Sequence, residues 1–303
     1  MALGPWLTEV NEVICASLAP STQRGYSRKV TEFAEFRQAA GLPIQWPAPV
    51  EHLLFFLLHL QRSGRAVSSL PGFMSAIAFV SKAGGYPDFT QDFRVRRMLE
   101  GFARKTPPVR DQRRPITPEL LGGIAGTFST LCSSPCEVQL FRAALLTAFF
   151  GAFRPSEFLA KNKTDQSARA LRRADLTWMP GGVLINLRWS KTDQRGIGCS
   201  VTLKEVVGMP LCPVAALREY TAFSGEHSGA LFQHEDGSPL TLFQFRAIFS
   251  RALGALGLQP REFGLHSLRI GAASAAAALG LSGEDIQNIG HWRSSTYRRY
   301  VRK

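Results

Sequence analysis

The chain closes on GHWRSSTYRRYVRK, where Tyr297 and Tyr300 stand among four arginines and a lysine, just after His291 and Trp292. A phenol is a poor general base at neutral pH, yet surrounding cations can make it a nucleophile. Three other stretches hold residue types that could serve such an attack. In GAFRPSEFL, Pro155 suits the first position of a helix, which puts Arg154 at the turn before it and Glu157 in the first turn. An arginine there, after a wholly apolar stretch, is placed to hold an anion or to pair with Glu157. In GLHSLRIG, His266 and Arg269 are three apart at a helix start, so both project from one face. Imidazole, guanidinium and helix-start N–H groups then converge on one anion-sized space. Lys191, in RWSKTDQ at a hairpin tip, can reach into a site and donate a proton, or simply stay in water. Spacing alone does not choose between the two tyrosines, and His291 has the look of an exposed turn residue.

These side chains need a scaffold, and the pattern is mainly α with a small β-hairpin. From about Pro5 to Arg104 it is helical. Ser21 or Thr22 can cap a helix over QRGYSRKVTEFAEFRQAA, closed by Gly41. Val30, Phe33, Ala34, Phe36 and Arg37 form its buried stripe, with Arg24, Arg28 and Lys29 toward solvent. PVEHLLFFLLHLQRSG is apolar almost all round and is expected at the centre of a bundle; SLPGFMSAIAFVSKAGG and QDFRVRRMLEGFARK add two more helices. KTPPVRDQRRPITPELL reads as a basic linker followed by a helix capped at Thr117. Beyond it, CEVQLFRAALLTAFFGA is a buried helix, and GGVLINLRWSKTDQRGIGCSVTL gives two alternating strands joined by a polar turn. PLCPVAALREYTAF, SPLTLFQFRAIFSRALGALG and the alanine-rich stretch after His266 return to helix. Ser282 and Asp285 open a short helix that Gly290 ends, and Ser294 or Ser295 caps a last helix carrying Tyr297 and Tyr300.

The 303 residues are enough for two domains, and the net charge of +13 points to a polyanionic partner, nucleic acid before an anionic membrane. Arg24, Arg28, Lys29, Lys82 and Arg114 are candidate phosphate contacts, and a basic tether suits the tracking of phosphates as two lobes close around a duplex. The longest apolar run, VEHLLFFLLHL, is too short to span a bilayer, and no basic amphipathic helix argues for a membrane surface. MALGPWLTEV has neither the basic start nor the apolar core of a signal peptide, so secretion is not expected. The five cysteines, Cys15, Cys132, Cys136, Cys199 and Cys212, contain no CxxC and fit a reduced compartment. His227 and His234 lack cysteine partners at zinc-site spacing, and neither a Walker loop nor a cluster of catalytic carboxylates is present, so no metal or cofactor is expected.

Taken as an ordered set, Arg154, Lys191, His266-x-x-Arg269, Gly290-His291 and Tyr300 resemble the active site of the tyrosine recombinases, the phage-integrase family, in that family's order and with comparable gaps. The nine-residue step from His291 to Tyr300 matches the family's distance between its second His/Trp position and its nucleophile, and selects Tyr300. The ending GHWRSSTYRRYVR also resembles recombinases of animal mobile elements. Residues 17 to 104 resemble the family's helical, SAM-like core-binding domain and 114 to 303 its catalytic domain. The expected division is 1–104 for DNA binding, 105–116 for the linker and 117–303 for catalysis.

The resemblance implies cleavage and rejoining of double-stranded DNA through a 3′-phosphotyrosine. It assigns Tyr300 as nucleophile, Arg154 and Arg269 as clamps on the non-bridging oxygens, His266 as a hydrogen-bond donor to the phosphate or the acceptor of the tyrosine proton, and His291 as a further donor to the transition state. Lys191 becomes the acid for the leaving 5′-oxygen, and Glu157 the group that orients Arg154 or a histidine. It further implies a homo-tetramer on DNA, in the nucleus of a eukaryote or otherwise in the cytoplasm or nucleoid. The sequence ends three residues after Tyr300, where many members continue into a segment that docks on the neighbouring subunit. Assembly by another contact, or a truncated chain, is therefore expected. Two alternatives stand beside it: a type IB topoisomerase, similar at the active site, that relaxes DNA as a monomer, and a DNA-binding protein derived from a recombinase that has lost catalysis, against which the full residue set argues.

Overall fold

Local signals set most helix starts. Thr117, Ser134, Thr241 and Ser282 each accept a backbone N–H at the head of a helix, an arrangement that stabilises a helix by about 1 kcal/mol. The computed structural model describes residues 4–107, 111–164, 170–190, 193, 196–206, 208–225, 227, 229–292 and 294–302. The chain forms two units, Met1–Arg110 and Asp111–Lys303.

The first unit holds α1 (Gly4–Ala16), α2 (Pro20–Ala39), α3 (Val50–Arg62), α4 (Leu70–Ala83) and α5 (Phe93–Lys105). Its core is aromatic: Phe33 and Phe73 both pack on Phe56, with ring centres 5.0 and 5.6 Å away. Three expectations need correction. The start of α2 is set by Pro20 rather than by Ser21 or Thr22, because proline already has helical φ and its missing N–H is not needed there. Ala34 is exposed and Lys29 is half-buried, its ammonium 5.6 Å from the centre of the Phe73 ring. The α3 helix is not buried all round, since Phe55 remains 53% exposed.

The second unit is built on α7 (Pro135–Phe150), whose residues from Ala143 to Phe149 are all buried. Around it lie α6 (Pro118–Leu131), the single turn α8 (Pro155–Phe158), α9 (Pro213–Phe223), α10 (Leu242–Ala255), α11 (His266–Ala278) and α12 (Gly283–Ile289). An antiparallel sheet, ordered β1 (Leu176–Met179), β2 (Gly182–Leu187) and β3 (Cys199–Lys204), covers one side. Ile185 is the central register point, facing Leu176 on one neighbour and Val201 on the other. The two expected strands are thus joined by a third, β1, whose exposed Trp178 and Met179 hide the alternation that marks a strand.

Residues 111–116, assigned from sequence to a solvated tether, belong to this unit. Ile116 is fully buried and donates its N–H to the Ser267 carbonyl, while Arg114 donates its own to Glu262. The strap lies so close to α11 that a Cβ on Gly271 would collide with the Ile116 carbonyl oxygen. Glycine is required there for close approach. No helix among the described residues is long and apolar enough to cross a membrane.

Candidate active site

Two helices end in the same way beside the candidate residues. After α7 the chain turns through Ala152 at φ 44°, and after α12 through His291 at φ 42°. Side chains rarely adopt this left-handed conformation, which costs about 1–2 kcal/mol outside glycine. Each turn aims a candidate side chain: Arg154 comes two residues after Ala152, and His291 is itself the turning residue. Gly290 is needed because the Trp292 ring folds back onto its α-carbon, where a Cβ would overlap it.

Arg154 caps α8, and Glu157 answers it twice. One carboxylate oxygen accepts the Arg154 backbone N–H at 2.7 Å, and the other meets its guanidinium at 2.7 Å. The first oxygen also lies 3.2 Å from His291 Nε2. Burial pushes the Glu157 carboxyl upward, but the hydrogen bond and charge of His291, together with Arg154, outweigh it and leave the group below the usual carboxylate range. Glu157 is therefore an anion that fixes the arginine and the histidine together. The sequence left open an ion pair or an orienting role, and a single geometry serves both.

Arg269 sits deeper than expected. It has no exposed surface, and its guanidinium donates to the carbonyls of Ala152 and Gly290. Those carbonyls close α7 and α12, whose carboxyl ends carry partial negative charge and compensate a buried cation. The Trp292 ring lies 4.1 Å from the guanidinium and the Tyr300 ring 5.4 Å. Burial first, then the charge of Arg154, lowers its pKa to about 10, which leaves it fully charged at neutral pH. His291, which has the look of an exposed turn residue, has a side chain only 8% exposed. Trp292 is only 6% exposed, because Gly290 lets its ring fold inward beneath Arg269.

A cleft of about 880 Å³ opens beside these groups, and Arg154, His266 and Tyr300 all line it. His266 is held neutral: burial lowers its pKa, and the charges of Arg113, Arg269 and Arg154 lower it further. His291 is lowered likewise by burial, against the pull of Glu157. Tyr300 falls just beyond a short 3-10 turn, Ser295–Arg299, rather than on the expected last helix. Tyr297 points elsewhere, its hydroxyl against Gly283 of α12. Arg269 and His291 do not line the cleft, and Lys191 lies outside the described residues.

Two further arginines line the cleft that local pattern did not single out. Arg113 comes from the strap, gripped by Asp111 through two bonds of 2.8 Å, and Arg246 is exposed on α10. Both arrive by tertiary approach: the basic charge of the 105–116 stretch was visible in the sequence without marking Arg113 as a cleft residue, and nothing local marked Arg246. Of the candidate phosphate contacts, Arg24 and Arg28 are exposed. Lys82 is paired with Asp88 at 3.0 Å and Arg114 with Glu262 at 3.1 Å. The cleft thus combines several cations, a neutral imidazole and a phenol. Such a set can bind a phosphate, take a proton from the phenol and admit the phenolic oxygen to phosphorus.

No protein-family profile matches the chain. It is 26% identical over 270 residues to an integrase/recombinase XerD homologue of Selenomonas ruminantium, an alignment that covers 86% of this chain and 75% of the relative. Its fold is similar to that of a lambda integrase dimer bound to a COC′ core site, with a TM-score of 0.64 and 17% identity, covering 100% of this chain and 77% of the other. It is also similar to the Tn1549 transposon integrase in complex with a circular intermediate DNA, with a TM-score of 0.62 and 14% identity, covering 97% of this chain and 95% of the other.

Proposed function

We propose that this chain, which belongs to the tyrosine recombinase family, is a site-specific DNA recombinase that cleaves and rejoins duplex strands through a 3′-phosphotyrosine. The observation that carries this is the convergence of Arg154, His266 and Tyr300 on one cleft, from stretches as far apart in sequence as α8 and the tail.

Phosphoryl transfer asks mainly for positioning and for stabilisation of charge on the non-bridging oxygens. Arg154, held rigid by Glu157, offers a planar fork to those oxygens. The Tyr300 hydroxyl attacks phosphorus, its proton passing to neutral His266, while the bond from phosphorus to the 5′-oxygen breaks. Arg269 supplies fixed positive charge beside the phenol. His291 holds Glu157 and, through it, Arg154. Lys191 is the family's position for the acid that protonates the leaving 5′-oxygen. The tyrosyl phosphodiester retains the energy of the broken bond, so the reverse attack by a 5′-hydroxyl rejoins DNA without ATP. Exchange between two duplexes cuts four strands, which makes a homo-tetramer on DNA the assembly this chemistry calls for.

The test is a DNA substrate nicked beside the cleavage point, so that the 5′-end is lost and the covalent complex accumulates. The wild-type chain and Tyr297→Phe are expected to form the adduct, and Tyr300→Phe to bind DNA equally well and form none. An adduct that survives Tyr300→Phe but not Tyr297→Phe would overturn the assignment of the nucleophile.

A further inference from the structure

We infer that Ser274 is a positioning residue that latches the tail carrying Tyr300 onto α11. It is the one polar side chain in Gly271–Ala278, a run that is otherwise glycine and alanine. A helical serine commonly turns its hydroxyl back to the carbonyl one turn earlier. This hydroxyl goes to the tail instead: it donates to the Tyr300 carbonyl at 3.3 Å and accepts the Arg302 N–H at 2.9 Å. A single oxygen therefore grips the backbone on both sides of Val301, directly after the nucleophile.

The tail needs such a grip. Its short 3-10 turn, Ser295–Arg299, ends before Tyr300, and 3-10 geometry holds a backbone weakly. Beyond the turn, Tyr300 and Val301 share one backbone acceptor, the Tyr297 carbonyl, at 2.8 and 3.3 Å. The Arg302 guanidinium donates at 2.5 Å to the Arg299 carbonyl, a contact within the tail itself, and reaches Asp111 only through a long ion pair at 3.6 Å. Because α11 also carries His266 and Arg269, the latch references the phenol to the same rigid element that holds its proton acceptor and its neighbouring charge. Small losses of register in such a site are costly to rate. The catalytic consequence rests on the recombinase function proposed above, whereas the latch itself is a property of the free chain.

Ser274→Ala removes the hydroxyl and leaves the best helix former among other alanines, so α11 keeps its fold; Ser274→Thr restores a hydroxyl. Two measurements on the full chain test the proposal. In amide hydrogen exchange without DNA, the Arg302 amide is expected to exchange about tenfold faster in Ser274→Ala, the effect of losing one to two ordinary hydrogen bonds, and to recover in Ser274→Thr. With saturating nicked DNA, Ser274→Ala is expected to form the covalent adduct about tenfold more slowly at unchanged DNA affinity, again with recovery in Ser274→Thr. Unaltered exchange at Arg302 overturns the latch. An unaltered adduct rate, or a slower one fully matched by weaker DNA binding, overturns its positioning role. A wild-type chain that binds DNA and forms no adduct defeats the recombinase function instead, and the exchange measurement still decides the latch.

Discussion

In the proposed reaction His266 sets the acid side of the pH profile. Burial, then the charges of Arg113, Arg269 and Arg154, hold its pKa below the ordinary 6.5, so the imidazole stays neutral and able to accept the phenol proton at pH values where a free histidine is already charged. Adduct formation should therefore hold level as pH falls through 6.5 and decline only below it. A single-turnover profile with its acid break at or above 6.5 would remove His266 from the proton-accepting role. At this scale the sequence was informative where chemistry depends on neighbours along the chain. Arg154 with Glu157, and His266 with Arg269, were legible because a helix start fixes which residues share a face. It did not place Arg246 at the site, and it marked Arg113 only as part of a basic stretch, because both reach the cleft through tertiary packing. The depth of Arg269 was also hidden, because its partners are the carbonyls of Ala152 and Gly290 rather than any motif.

At the scale of elements, the strap and α11 are interdependent. Replacing Gly271 by alanine would normally favour a helix by about 1 kcal/mol. Here the added methyl meets the Ile116 carbonyl, so Gly271→Ala should instead destabilise the second unit by about 1–3 kcal/mol, as overpacking does. Denaturant unfolding of the full chain gives the sign directly, and stabilisation would show that the strap does not press on α11. Helices with side-chain caps, such as those begun by Thr117 and Ser282, were legible from sequence. The strand β1 was not, because its outer residues stay exposed and give no period of two. The cap residues before the tail predict a helix, whereas the chain makes only a 3-10 turn before Tyr300.

Across the whole molecule the net charge of +13 predicts duplex affinity that falls steeply with salt, with a log–log slope of about 0.9 for each phosphate neutralised. Surface cations are not equivalent in this respect. Lys82 and Arg114 already face carboxylates, whereas Arg24 and Arg28 are exposed and, among the described residues, meet none. Replacing Arg24 and Arg28 by alanine should flatten the slope by up to about 2, and replacing Lys82 and Arg114 should leave it nearly unchanged. Equal effects would contradict the distinction. The central claim is that the phenolic oxygen of Tyr300 becomes bonded to a DNA phosphorus. Its most direct test is to trap the chain on nicked duplex DNA, digest the complex and identify the linked residue and the DNA end by mass spectrometry. The expected product is Tyr300 joined to a 3′-phosphate, with a free 5′-hydroxyl released; linkage through any other residue, or to a 5′-phosphate, would contradict it.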